Sequence, residues 1–160
     1  MRRGKIIAVS LTVCAVGAGM TVNAHAASTT FEMRKKAVSL LGIITTSNYQ
    51  ANVTRGEFAE LLVKASDYKE AANAAGTVSV FADVSSKSQY SAAIRTAATN
   101  SWMSGYLGGN FKPDEGVTMR DAIKAVLGVL GYTNEDFSGS LQESRLAKFK
   151  SLSLDSGIYR

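Results

Sequence analysis

The chain has 160 residues, 46% of them hydrophobic, which is enough for one small-to-medium domain built on a single core. Its formal charge of +5 includes Arg2, Arg3 and Lys5; without these three, fifteen basic residues stand against thirteen acidic ones. That near-balance excludes a typical nucleic-acid binder, which needs a strong basic patch.

Met1 to Lys5 is a basic start, Ile6 to Val22 an apolar run, and Ala24-His25-Ala26 a small-x-small cleavage signature. Residues 1–26 therefore read as a signal peptide, with the mature chain starting at Ala27 and exported to the cell wall or cell surface. The apolar run is interrupted by glycines and falls short of the roughly 20 residues of a membrane span, so no membrane association is expected once it is removed. Cys14 sits inside the apolar run behind Val13, which argues against a lipid anchor. Cys14 and His25 are the single cysteine and histidine of the chain, and both leave with this segment. Nucleophilic sites that need a histidine, zinc sites built on Cys or His, and disulfides are thereby excluded. No catalytic residue, metal or cofactor is expected.

The mature chain reads as a string of short helices. Met33, Ala37, Leu40 and Leu41 make one apolar stripe that ends at Gly42. A loop from Thr45 to Asn52 leads to a helix capped by Thr54, with Glu57 at its third position and Phe58, Leu61, Leu62 and Ala65 as its apolar face. Residues 67–79 read as an alanine-rich connector. After Asp83 a third helix carries Ile94, Ala97, Ala98 and Trp102 into the turn Gly105 to Asn110, with Trp102 read as core. A fourth is capped by Thr118 with Asp121 three residues on, and shows Ile123, Val126, Leu127 and Leu130 before Gly131. A fifth covers Leu141 to Leu154.

Two internal matches organise these elements. VTRGEFAELLVKA from Val53 and VTMRDAIKAVLGV from Val117 share a capping Thr, an acid three residues later and an apolar face. IRTAATNSWMSGY from Ile94 lines up with LAKFKSLSLDSGI from Leu146, pairing Ser101 with Ser153. Each unit is helix, glycine turn, loop and capped helix. Such a unit is too small to bury its apolar faces alone, so neighbouring units must pack together.

The segment from Val80 to Tyr132 carries Phe81-x-Asp83-Val84, an aromatic ahead of Ala93-Ile94, a Gly-Tyr turn, Phe-x-Pro, a capping Thr and a closing Leu-Gly-Tyr. In that order and spacing it resembles an S-layer homology repeat. On this reading residues 27–66 are a shortened first repeat, 67–79 a linker, 80–132 a complete repeat and 133–160 the start of a third. The resemblance implies a mainly α fold of short helical repeats packing into a partial pseudo-threefold prism. It also implies a non-catalytic module that anchors its carrier by binding pyruvylated secondary cell-wall polysaccharide. Further repeats or self-association are the other implied partners.

Arg55 matches the arginine of the family's Thr-Arg-Ala-Glu motif, and its planar donor fork suits a carboxylate; outside the family context it reads as a helix-surface arginine. An Arg55→Ala change is thus expected to remove wall binding and leave the helices intact. Tyr90 stands where the family often has Trp, with sugar stacking and core packing both open to it. Asp83 reads first as a cap or turn former for the helix that follows, with ligand contact secondary. Gly105, Tyr106 and Asn110 form a turn whose glycine is expected at positive φ, giving a sugar close access to the backbone. In the second unit Met119 holds the family's arginine position, and Arg120, one residue later, points elsewhere by about 100°.

Two rival functions differ from this one. A glycosidase would need two carboxylates flanking a cleft at roughly 5–9.5 Å, and the adjacent acids Glu57/Glu60 and Asp114/Glu115 read better as caps, first-turn charges and solvated loop charge. Degenerate repeats could instead serve as a surface protein–protein assembly module without glycan. A partial prism would expose Leu146, Phe149 and Leu152, with marginal stability or oligomer formation as the consequence.

Overall fold

A computed structural model describes residues 25–44, 52–70 and 79–155, with side chains from residue 32 onward. The expected signal segment lies outside these residues except for His25 and Ala26. So do most of the loop after Thr45, residues 71–78 of the expected linker, and the end of the chain from Ser156.

Five α-helices make up the described fold: α1 (His25–Leu40), α2 (Arg55–Lys64), α3 (Ser91–Thr99), α4 (Met119–Val129) and α5 (Leu141–Ser151). A single 3-10 turn, Asn134–Asp136, joins α4 to α5. There is no β-strand among the described residues, only one antiparallel bridge between Thr54 and Gly116. None of the described helices is long and apolar enough to cross a membrane.

The N-terminus of α2 shows why the chain turns helical there. A helix leaves its first N–H groups without internal partners. Here Arg55 N donates to Glu115 O at 2.8 Å and Gly56 N to Pro113 O at 2.8 Å. Glu57 N donates to the Thr54 hydroxyl at 3.2 Å, and the Glu57 carboxylate accepts from Thr54 N at 2.8 Å, closing a capping box. The start of α2 is thus sewn to the loop that precedes α4. Thr118 caps α4 in the same way, accepting from Asp121 N at 3.2 Å.

Helix ends repeat as well. α3 stops because Ser101 takes φ 59°, which lets Trp102 N donate back to Ala97 O at 2.9 Å and Ser101 N to Ala98 O at 3.0 Å. α5 stops the same way: Ser153 has φ 54°, Leu154 N donates to Phe149 O at 3.1 Å and Ser153 N to Lys150 O at 2.8 Å. Glycine takes this left-handed position after α1 (Gly42) and α4 (Gly131).

α2 lies against α3, α4 lies against α5, and α4 makes a lighter contact with α2. Each Thr-capped helix, α2 and α4, therefore packs on the helix that follows it in the chain. Ala59 and Ala97, both 0% exposed, allow α2 and α3 to approach closely. Around them Leu62, Val63, Ile94, Trp102, Met103 and Phe111 form the main core. Gly128 makes room for Trp102 on α4, since a Cβ there would lie 2.9 Å from the indole Cδ1. A smaller core of Ile123, Leu127 and Phe149 joins α4 to α5.

Several expected faces are rotated or displaced. On α2 the buried positions are Arg55, Gly56, Ala59, Leu62 and Val63, while Phe58 and Leu61 are half-buried and Ala65 exposed, because the helix must present Arg55 inward. Trp102 is core, as expected, but reaches it from beyond the end of α3. Leu130, expected in the apolar stripe of α4, is exposed at its C-cap. Phe149, expected to be exposed, is covered by α4, whereas Leu146 and Leu152 remain exposed. The apolar stripe of α1 is present but uncovered among the described residues, with Met33, Leu40 and Leu41 exposed.

A left-handed backbone strains any residue with a Cβ, so Ser101→Gly is expected to stabilise the fold by about 0.5–1 kcal/mol. A higher urea midpoint at unchanged slope would show it.

Candidate functional site

The face of α2 that enters the core begins with Arg55, four residues before Ala59, so its side chain is carried inward with the apolar stripe. It is 2% exposed. Nε donates to Phe111 O at 2.9 Å and Nη2 to Ser104 O at 2.7 Å, while Nη1 faces Asp121 Oδ2 at 3.4 Å. The guanidinium carbon lies 4.8 Å from the Tyr106 ring centroid and 4.6 Å from that of Phe111. A buried cation is tolerable when it is paired and hydrogen-bonded, and these contacts meet that condition.

Arg55 also forms the floor of a small cleft of about 110 Å³, lined with Ser104, Gly105, Tyr106, Asp121 and Lys124. The structure thus brings together Arg55, Gly105 and Tyr106 of the expected ligand-binding set. Asp121, expected only as a cap, takes on a second role as the carboxylate facing Arg55.

Asp83, Tyr90 and Asn110 do not line this cleft. Asp83 caps no helix start: it accepts from Phe111 N at 2.8 Å and Lys112 N at 2.6 Å, clasping a loop far along the chain. Burial pushes its carboxyl pKa up, but the N–H groups of Phe111 and Lys112, helped by the charge of Arg55, outweigh this and hold it below its usual value. Tyr90 is half-buried against the core and lies over Gly56, where a Cβ would stand 2.7 Å from its ring. Asn110 contributes its carbonyl, which accepts from Tyr106 N at 2.7 Å and closes the turn. Gly105 is required for space rather than for positive φ, because a Cβ there would stand 2.4 Å from Phe81 Cε1; the left-handed glycines of this turn are Gly108 and Gly109.

Three cleft residues, Met103, Ser104 and Lys124, were not singled out in the sequence. Ser104 supplies a carbonyl to Arg55 and a hydroxyl that accepts from Lys124 Nζ at 2.7 Å. Lys124 follows Asp121 by three positions, hence on the same face of α4, a spacing visible in the sequence once Asp121 is seen to point inward. Three of the four acids considered for hydrolysis are engaged elsewhere: Glu57 in the cap of α2, Glu60 with Lys64 at 2.9 Å, and Glu115 with Lys112 at 2.7 Å. No cluster of residues suited to a metal ion occurs among the described residues.

The part of the chain that supplies Ser104, Gly105, Tyr106 and Asp121 to this cleft coincides with a known family pattern, for the S-layer homology domain model matches residues 80–122. Those residues are thus similar to an S-layer homology domain, a non-catalytic kind of module. The chain is also 26% identical over 157 residues to a surface layer protein of Brevibacillus choshinensis, covering 95% of this chain and 14% of that protein. A middle cell wall protein of Brevibacillus brevis is 27% identical over 106 residues, covering 66% of this chain and 10% of that protein. The chain therefore spans a small fraction of the length of these relatives. No solved structure matches it.

Arg55→Ala would leave the buried Phe111 carbonyl and the Ser104 carbonyl without this donor, and Asp121 without its cation. It is expected to destabilise the fold by about 3 kcal/mol, contrary to a purely ligand-binding role, and chemical denaturation would measure this. A depressed carboxyl pKa stabilises the fold above the unfolded value, about 3.9, and that stability is lost as pH falls through the folded value. The urea midpoint of the wild type is therefore expected to drop below about pH 4, and Asp83→Asn should be less stable at neutral pH with a flatter acid limb.

Proposed function

We propose that this chain is a wall-anchoring module that binds secondary, pyruvylated cell-wall polysaccharide through the cleft at Arg55. The observation that carries the reading is that the matched S-layer homology segment supplies Ser104, Gly105, Tyr106 and Asp121 to a polar cleft floored by the Arg55 guanidinium. Tyr106, 39% exposed, offers a ring face to sugar C–H groups, and Gly105 keeps the adjacent backbone open. Arg55 acts chiefly by holding these walls in place.

On this proposal residues 1–26 are an export signal removed near Ala26. Residues 27–66, 80–132 and 133–160 belong to successive repeats of a pseudo-threefold prism, with 67–79 as a linker. The exposed Met33, Leu40 and Leu41 of α1 favour a second reading, in which the module also associates with another protein surface or a second copy.

The chain from Ala27 onward is expected to sediment with native cell-wall sacculi and to remain in solution with sacculi stripped of secondary polysaccharide. Tyr106→Ala should weaken that sedimentation several-fold without altering the helical circular dichroism. Equal sedimentation with both kinds of sacculi, or with neither, would rule out the anchoring reading in favour of protein assembly.

A further inference from the structure

The peptide group between Phe111 and Lys112 is held at both ends by charged side chains. Its N–H, on Lys112, donates to Asp83 Oδ2 at 2.6 Å, and its carbonyl, on Phe111, accepts from Arg55 Nε at 2.9 Å. The two ends of a trans peptide point in opposite directions, so its dipole lies between a carboxylate and a guanidinium, each charge against the end of opposite sign. The preceding N–H, on Phe111, donates to the other oxygen of Asp83 at 2.8 Å. Asp83 thereby acts on Arg55 through a single peptide group.

The orientation of that group is a strained one. Lys112 has φ 60° and is, with Ser101 and Ser153, one of three residues other than glycine at positive φ among the described residues. A half-turn of the peptide would carry this φ back to the negative side and relieve the strain, but would aim the N–H away from Asp83 and the carbonyl away from Arg55. Arg55 is 2% exposed, so its Nε would then be buried without an acceptor. The Lys112 side chain would be displaced too. It now donates to Glu115 at 2.7 Å and holds its Nζ 4.8 Å from the centroid of Tyr106, the exposed ring of the Arg55 cleft.

We propose that Asp83 is a positioning residue of the Arg55 cleft, which through the Phe111–Lys112 peptide fixes the guanidinium and the Tyr106 wall for as long as its carboxylate is ionised. The inference deepens the wall-anchoring reading and rests on it for the use of the cleft. Asp83 is itself exposed, hence open to protons from solvent. The charges facing the arrangement are Arg55 on α2, Asp121 on α4 at 3.4 Å from Arg55 Nη1, and Lys112 with Glu115 on the loop. Burial acts to raise the pKa of Asp83, but the two N–H groups and Arg55 hold it below its usual value. The clasp is therefore intact above about pH 3.9 and released as pH falls through the folded value.

The test is a nitrogen-15 NMR pH titration of the chain from Ala27, with Asp83→Asn as the comparison. The Lys112 amide, the Arg55 Nε–H and the Tyr106 ring are expected to shift with one common midpoint below that of a free aspartate, and the common step should be missing in Asp83→Asn. Hydrogen exchange at neutral pH supplies a second readout. In Asp83→Asn the Lys112 amide should exchange at least ten-fold faster, over and above any change at Ile94 and Leu127, whose amides report opening of the whole fold. An Arg55 Nε–H signal that ignores the step seen at Lys112, a common step that persists in Asp83→Asn, or exchange at Lys112 that rises no more than at Ile94 would each overturn the proposal. These readouts use no wall material, so their failure is distinct from a failure to sediment with sacculi.

Discussion

The buried guanidinium of Arg55 is the contact on which most of this structure depends. A charge taken out of water is costly unless every donor finds an acceptor, so the residues around it are constrained together. Its bonds reach Ser104 O and Phe111 O on the long loop and Asp121 on α4, while it belongs to α2. One side chain thereby fixes the loop's course and the relation of two helices. Its flanking rings, Tyr106 and Phe111, extend the same constraint into the main core, where Phe111 is 0% exposed and lies 5.2 Å from Phe81.

Around that tie the loop from 104 to 117 acts as a scaffold rather than a connector. Asp83 holds its middle through two backbone N–H groups, and the carbonyls of Pro113 and Glu115 satisfy the first N–H groups of α2. Gly105 and Gly56 allow aromatic rings to approach where a Cβ would collide. A loop held at this many points presents a polar cleft of fixed shape, which lowers the ordering cost of any binding there.

The packing follows the order of the chain. α2 meets α3 and α4 meets α5, so each Thr-capped helix is covered by the helix that follows it. That places Lys124 and Arg145, from different helices, in one groove. It also explains why Phe149 on α5 is covered, whereas α1 has an exposed apolar face among the described residues.

The sequence by itself determined the helices and their caps. Thr54-x-x-Glu57 and Thr118-x-x-Asp121 are local hydrogen-bonding devices, because such features depend on residues three apart, and the pairing of Ser101 with Ser153 set side by side two positions that the structure shows to be left-handed helix ends. The match in residues 80–122 was likewise legible from the order of short motifs. What only the tertiary structure decided was where each charge lies. Arg55 heads a buried stripe, Asp83 reaches a loop 28 residues away, Tyr90 covers a glycine on another helix, and Lys124 faces Arg145's groove without a carboxylate partner. Those outcomes follow from solvation and from long-range pairing, and neither leaves a periodic trace in a sequence: a charged residue reads as exposed until the groups that compensate its burial are brought to it by the fold.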